Sequence, residues 1–137
     1  GRLRPELEKL AADLGVAPRL RFVGWVDDPV HHIASGDAFL LSSRHEPLGN
    51  ILLEAWAAGV PSVSTRCEGP SWFMRDGVDG LMADIDDDEG IAAALTALRD
   101  NPQAARAYAA SARARLDEFF SEEAICNDYI RVFRGQF

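Results

Sequence analysis

DAFLLSSRHEPLGNILLEAWAAGVPSVST, residues 37–65, decides the fold. Its first six residues are an apolar run without alternation, the pattern of a strand covered on both faces of a parallel sheet. A polar loop, residues 43–48, follows. The spacing then predicts a helix over residues 49–58, apolar on most sides through Ile51, Leu52, Leu53, Ala55 and Trp56 and ended by Gly59. Residues 61–65, PSVST, read as the next strand. Strand, loop, helix, strand at this spacing is a β-α-β unit.

Upstream, Leu7, Leu10, Ala11 and Leu14 recur with helical period between Pro5 and Gly15, predicting a surface helix. Residues 20–23 form a short β-rich run ended by Gly24, which predicts a strand, and Asp28-Pro29 opens a short helix up to Gly36. Downstream, a Gly/Pro-bearing loop through Cys67, Gly69 and Pro70 leads to a short apolar stretch at Trp72, and Gly77 and Gly80 mark a turn before Leu81-Met82. Three consecutive helices follow: residues 91–98, residues 102–120 behind Asn101-Pro102, and a last one behind Ser121 ending near Arg134. The fold class is α/β, a Rossmann-like parallel sheet with flanking helices, in one domain of 137 residues. Three strands and a helical start are few for a doubly wound sheet, so the chain reads as the back half of something larger.

Composition narrows the function. Fourteen Lys and Arg against 22 Asp and Glu give a net charge of −8, which repels phosphate backbones and argues against nucleic-acid binding. Cys67 and Cys126 have no paired ligands at metal spacing, so neither zinc nor a disulfide framework is expected. No apolar run reaches the length of a membrane span and residues 1–10 lack a signal-peptide core, which gives a cytoplasmic expectation. No G-x-G-x-x-G follows a strand, which excludes a Rossmann oxidoreductase.

The chemistry concentrates in residues 42–59. Ligands of open α/β sheets bind beyond the carboxyl ends of the strands. There the amides of Gly49, Asn50 and Ile51, with the positive end of the helix dipole, suit an oxyanion such as a diphosphate. Glu46 and Glu54 flank that turn. Glu54 lies on the helical face of Asn50 and Ile51, one turn further in, where a carboxylate can accept two hydrogen bonds from a vicinal diol. Spacing alone favours the plainer reading, Glu54 as a solvated helix residue and Glu46 as a partner of the helix dipole.

Residues 21–29, 37–65 and 75–82 together resemble the carboxy-terminal half of the GT-B-fold glycosyltransferases, specifically the large retaining family 4. The features are Ser42-Ser43 at a strand end, a Glu-x7-Glu pair in Glu46 and Glu54, Leu53-Glu54-Ala55, Gly59-Val60-Pro61, and Asp76-Gly77-Val78-Asp79-Gly80. The resemblance implies that Glu54 binds the ribose hydroxyls of a nucleoside-diphosphate sugar, UDP- or GDP-linked. It implies that Glu46 contacts the transferred sugar as the catalytic carboxylate, and that Gly49, Asn50 and Ile51 reach the diphosphate or the sugar. Gly24, Trp25 and Val26 fall near the base. The chemistry is metal-independent, so neither metal nor cofactor is expected.

The resemblance also implies partners absent from this sequence: an amino-terminal acceptor domain, and an upstream loop whose Arg and Lys neutralise the leaving diphosphate. Membrane contact, if any, belongs to the parent protein. Arg44, His45, Arg66 and Arg75 are the cations near the matched loops. The isolated chain is therefore expected to be inactive. The pairing of Arg44-His45 with residues 46–50 is similar to enzymes of lipopolysaccharide and exopolysaccharide synthesis. The competing reading is a non-catalytic nucleotide-binding or interaction module.

Four features receive plainer readings. Trp72, where the family often carries Glu, is expected to pack with Phe73 as core under the loop, with a sugar platform as the alternative. The acidic residues 84–89 lack the calcium-loop Gly and Glu and serve as helix cap and dipole charges. His31 and His32 are surface residues. Arg99, Arg106, Arg113 and Arg115 read as a solvated helical face.

Overall fold

A computed structural model describes residues 1–136. Helix α1 (Arg4–Asp13) and a 3-10 turn (Ala17–Arg19) lead through an extended stretch to α2 (Pro29–Ala34). Strand β1 (Phe39–Leu41), helix α3 (Asn50–Ala57), strand β2 (Ser62–Thr65), helix α4 (Glu68–Phe73) and strand β3 (Leu81–Ala83) alternate. Helices α5 (Asp88–Asp100), α6 (Pro102–Phe119) and α7 (Glu122–Phe133) close the chain. The strands form one parallel sheet in the order β1-β2-β3, with Leu40 opposite Val63 and Val63 opposite Leu81. The expected α/β architecture is the one observed.

The strand pleat sorts the core into two layers. On one face Leu41 packs with Leu52 and Trp56 of α3, with Phe73 and Met74, and with Ala112 of α6. Trp56 meets Phe73 edge-on at 5.2 Å, and Phe73 meets Phe120 at 5.3 Å. On the other face Val63 and Leu81 pack against Leu95 and Leu98 of α5 and Ala105 of α6. Every residue of β2 is buried although three of its four are Ser or Thr, so their hydroxyls need partners inside the fold. Ser62 and Ser64 satisfy their hydroxyls on the carbonyls of Val60 and Thr65.

Helix ends follow the sequence signals. Asp28, Asp87, Asn101 and Ser121 each accept a backbone N–H from the first turn of the next helix. Asp87 thus gives the acidic stretch its expected capping role. Among the described residues no helix is long and apolar enough to cross a membrane.

Four expectations are corrected. Residues 20–23 form no strand; β-propensity favours a conformation, whereas a strand needs a neighbour, and here Phe22 lies under Arg4 of α1 instead. The third strand is β3, which follows a glycine-bounded turn and is not part of a longer apolar run that would mark it. Residues 68–73 form α4 rather than loop, because Gly69 and Pro70 occupy its first turn, where a missing N–H costs nothing. Trp72 is 74% exposed, while its neighbour Phe73 is buried: adjacent residues on a helix point to different sides.

The arginine face is only partly solvated. Arg113 donates to the carbonyl of Ala57 at 2.9 Å, and Arg115 to that of Phe73 at 2.5 Å, so α6 is stitched to α3 and α4 by guanidinium groups. His31 and His32 are exposed as expected.

Candidate functional site

The loop between β1 and α3 lies at the carboxyl end of the sheet, and three neighbours hold it. Thr65 at the end of β2 donates its hydroxyl to the carbonyl of Ser43 at 2.5 Å. Gly69 N–H donates to the carbonyl of Glu46 at 2.8 Å, and Glu46 N–H donates to Glu68 Oε2 at 3.2 Å. Both backbone polar groups of Glu46 are therefore fixed by consecutive residues of α4. Gly69 also marks a close approach: a Cβ there would lie 2.3 Å from the carbonyl oxygen of Leu48.

Gly49 turns the loop into α3 with φ +92°, a left-handed conformation that other residues adopt at a cost. Its N–H donates to Glu46 Oε1 at 3.1 Å. One of the three amides expected to face an anion is thus occupied by the chain's own carboxylate. The amides of Asn50 and Ile51 have no acceptor among the described residues, and Glu46 Oε2 likewise accepts nothing. Glu54 is half-buried on α3 with no partner for its carboxylate among the described residues. Glu46, Gly49, Asn50, Ile51 and Glu54 are brought together on one loop-helix unit.

Gly24, Trp25 and Val26 are not hydrogen-bonded to that unit. They precede α2, which packs on α3. Gly24 has φ +82° and Trp25 is 92% exposed.

Arg44, Arg66 and Arg75 and the imidazole of His45 are all engaged within the chain. Arg44 Nε pairs with Asp86 Oδ1 at 2.6 Å, and His45 Nδ1 with Glu68 Oε1 at 3.1 Å. Arg66 pairs with Asp76 and Asp84, and Arg75 with Asp79. Asp86 is the one non-glycine residue with positive φ among the described residues, at +65°. The anion-facing groups of this unit are consequently backbone amides.

The turn formed by residues 76–80 is held by its own network of acidic side chains. Asp76 accepts the N–H of Met82 and pairs with Arg66. Asp79 is wholly buried, accepting from Arg75 N–H and guanidinium and from Ser111 Oγ at 2.8 Å. Burial would push its carboxyl up, but those hydrogen bonds outweigh it and hold the group below its usual range.

Sequence reasoning passed over Glu68 and the packing role of Gly69. The Gly69-Pro70 pair was a visible signal for the second; the first depends on a contact spanning more than twenty residues.

A parallel sheet with helices on both faces, and a glycine-entered helix beyond its carboxyl edge, defines a Rossmann-like domain. Residues 1–101 match the family described as Glycosyl transferases group 1. The chain belongs to that family.

It is 49% identical over 136 residues to the lipopolysaccharide core biosynthesis glycosyltransferase LpsE of Rhizobium meliloti (strain 1021), covering 99% of this chain and 40% of LpsE. It is 44% identical over 130 residues to LpsD of the same organism, covering 95% and 38%. The crystal structure of Anabaena Alr3699/HepE in complex with UDP superimposes with a TM-score of 0.90 at 23% identity, covering 96% of this chain and 36% of that one. The fold is that of the GT-B glycosyltransferases. The chain spans about two fifths of the length of the curated relatives it matches.

Proposed function

We propose that this chain is the donor-binding half of a glycosyltransferase that moves a hexose-type sugar from a UDP- or GDP-linked donor to an acceptor hydroxyl with retention. The parent protein would work in the cytoplasm, in lipopolysaccharide or other cell-surface polysaccharide synthesis. The observation that carries this reading is the unit of residues 46–54, where two unpaired amides and two carboxylate sites share one helix start. The relatives named for lipopolysaccharide core biosynthesis and the fold neighbour solved with UDP support it.

Each group has one task in this reading. Asn50 and Ile51 N–H groups and the positive end of α3 face the diphosphate. Glu54 accepts hydrogen bonds from the ribose diol, Glu46 Oε2 from a hydroxyl of the sugar, and Gly24, Trp25 and Val26 border the base. As the anomeric bond breaks, negative charge collects on the leaving diphosphate and needs donors aimed at it. Arg44, His45, Arg66 and Arg75 are already paired, so cations come from the rest of the parent protein, as does the acceptor domain. The isolated chain binds donor and does not turn over.

The full-length Glu54→Ala variant tests this. Each charge-assisted hydrogen bond to the ribose is worth roughly 1.5–3 kcal/mol, so losing even one should raise the donor KM about tenfold or more. A Glu54→Ala enzyme with parental donor KM would refute the assignment.

A further inference from the structure

We infer that Glu68 is a positioning residue of the donor site, holding Glu46 with one carboxylate oxygen and the His45 ring with the other. The kinetic consequence rests on the function proposed above; the placement rests on geometry alone. Glu68 Oε2 accepts Glu46 N–H at 3.2 Å while Oε1 meets His45 Nδ1 at 3.1 Å. The next residue, Gly69, donates its N–H to the Glu46 carbonyl at 2.8 Å. Glu46 in turn bonds Gly49 N–H at 3.1 Å, so the start of α4 sets the start of α3 through one residue.

Stability does not account for this arrangement. The His45 and Glu68 side chains are 87% and 61% exposed, and ion pairs so placed contribute little to folding. What they fix is orientation. The Glu68 carboxyl sits at about 2, held down by its own backbone N–H, then by His45 and by Glu46 N–H, and is an anion at neutral pH. Facing that anion, His45 Nδ1 must carry the proton, which leaves Nε2 open on the loop that holds Glu46. Arg44 does not compete for Glu68, because Asp86 holds it.

The test compares variants of the full-length protein. Glu68→Ala should lower kcat about tenfold or more, because small displacements of a contacting group act on the reacting geometry. The donor KM should stay within about threefold, because Glu54 is untouched and the Gly69-to-Glu46 hydrogen bond still holds the loop on α4. Glu68→Gln keeps an acceptor for Glu46 N–H and should restore kcat to within about threefold of the parent. Nitrogen-15 spectra of labelled histidine, assigned with His45→Gln, should show the Nδ1–H tautomer at His45 in the parent and its loss in Glu68→Ala.

A parental kcat in Glu68→Ala overturns the inference, as does a higher KM at unchanged kcat. A kcat loss that Glu68→Gln does not restore, accompanied by a lower melting temperature, assigns Glu68 a structural role and overturns it too. If the parent protein transfers no sugar, the functional reading fails and the His45 tautomer decides the placement by itself.

Discussion

Asp79→Ala is expected to destabilise the chain by about 3 kcal/mol at neutral pH, because it removes the acceptor of a buried, charge-assisted network. Asp79 has no exposed surface, and its oxygens take Arg75 N–H at 3.0 Å, Arg75 Nε at 2.9 Å, Arg75 guanidinium at 2.7 Å and Ser111 at 2.8 Å. Arg115 adds a longer contact at 3.7 Å. The carboxylate therefore ties the turn before β3 to α6. Its folded pKa lies below the ordinary 3.8, so its contribution is complete above that value and is lost as pH falls through the lower folded value. Urea midpoints of parent and variant should differ widely at pH 7 and converge in acid below 3.8. Equal midpoints at pH 7 would contradict the network's role.

Gly69→Ala is expected to cost about 2–3 kcal/mol and to displace the loop that carries Glu46. Two effects oppose each other. Alanine favours a helix over glycine by about 1 kcal/mol. The new Cβ, however, would lie 2.3 Å from the Leu48 carbonyl oxygen and 2.6 Å from its Cα, and backbone cannot rotate aside as a side chain can. The steric term wins, and relief comes only by moving residues 46–49 off α4, which breaks the Gly69-to-Glu46 hydrogen bond as well. Ser71→Ala on the exposed side of the same helix is the control and should change stability by less than about 0.5 kcal/mol. A Gly69→Ala chain that unfolds at the parental urea midpoint would show that the loop yields without cost.

The β1-α3-β2 unit was legible because each signal in it is local: an apolar run for β1, the Gly-x-Pro turn into β2, Gly59 for the helix end, Gly49 for the turn. The same locality misled elsewhere. Residues 20–23 have strand composition, but pairing is a property of a neighbour. Trp72 has core composition, but α4 turns it outward and buries Phe73 in its place. In α4, Gly69 and Pro70 suggested loop because their helix penalties do not apply in a first turn.

The site divides along the same line. Glu46, Gly49, Asn50, Ile51 and Glu54 lie within one β-α unit, so their grouping was readable from sequence. That Glu46 would occupy Gly49 N–H was not, since it depends on the loop's path. Glu68 joins only through tertiary contact with His45 and Glu46. Arg115 likewise looked solvated until α6 laid it against Phe73.

The most direct test is calorimetric titration of this chain and of its Glu54→Ala variant with UDP, GDP, their sugar conjugates and an unrelated nucleotide. Selective binding of a nucleoside diphosphate or its sugar by the parent, weakened about tenfold or more by Glu54→Ala, is the predicted result. Equal affinity in parent and variant, or no discrimination from the unrelated nucleotide, would contradict a donor site on residues 46–54.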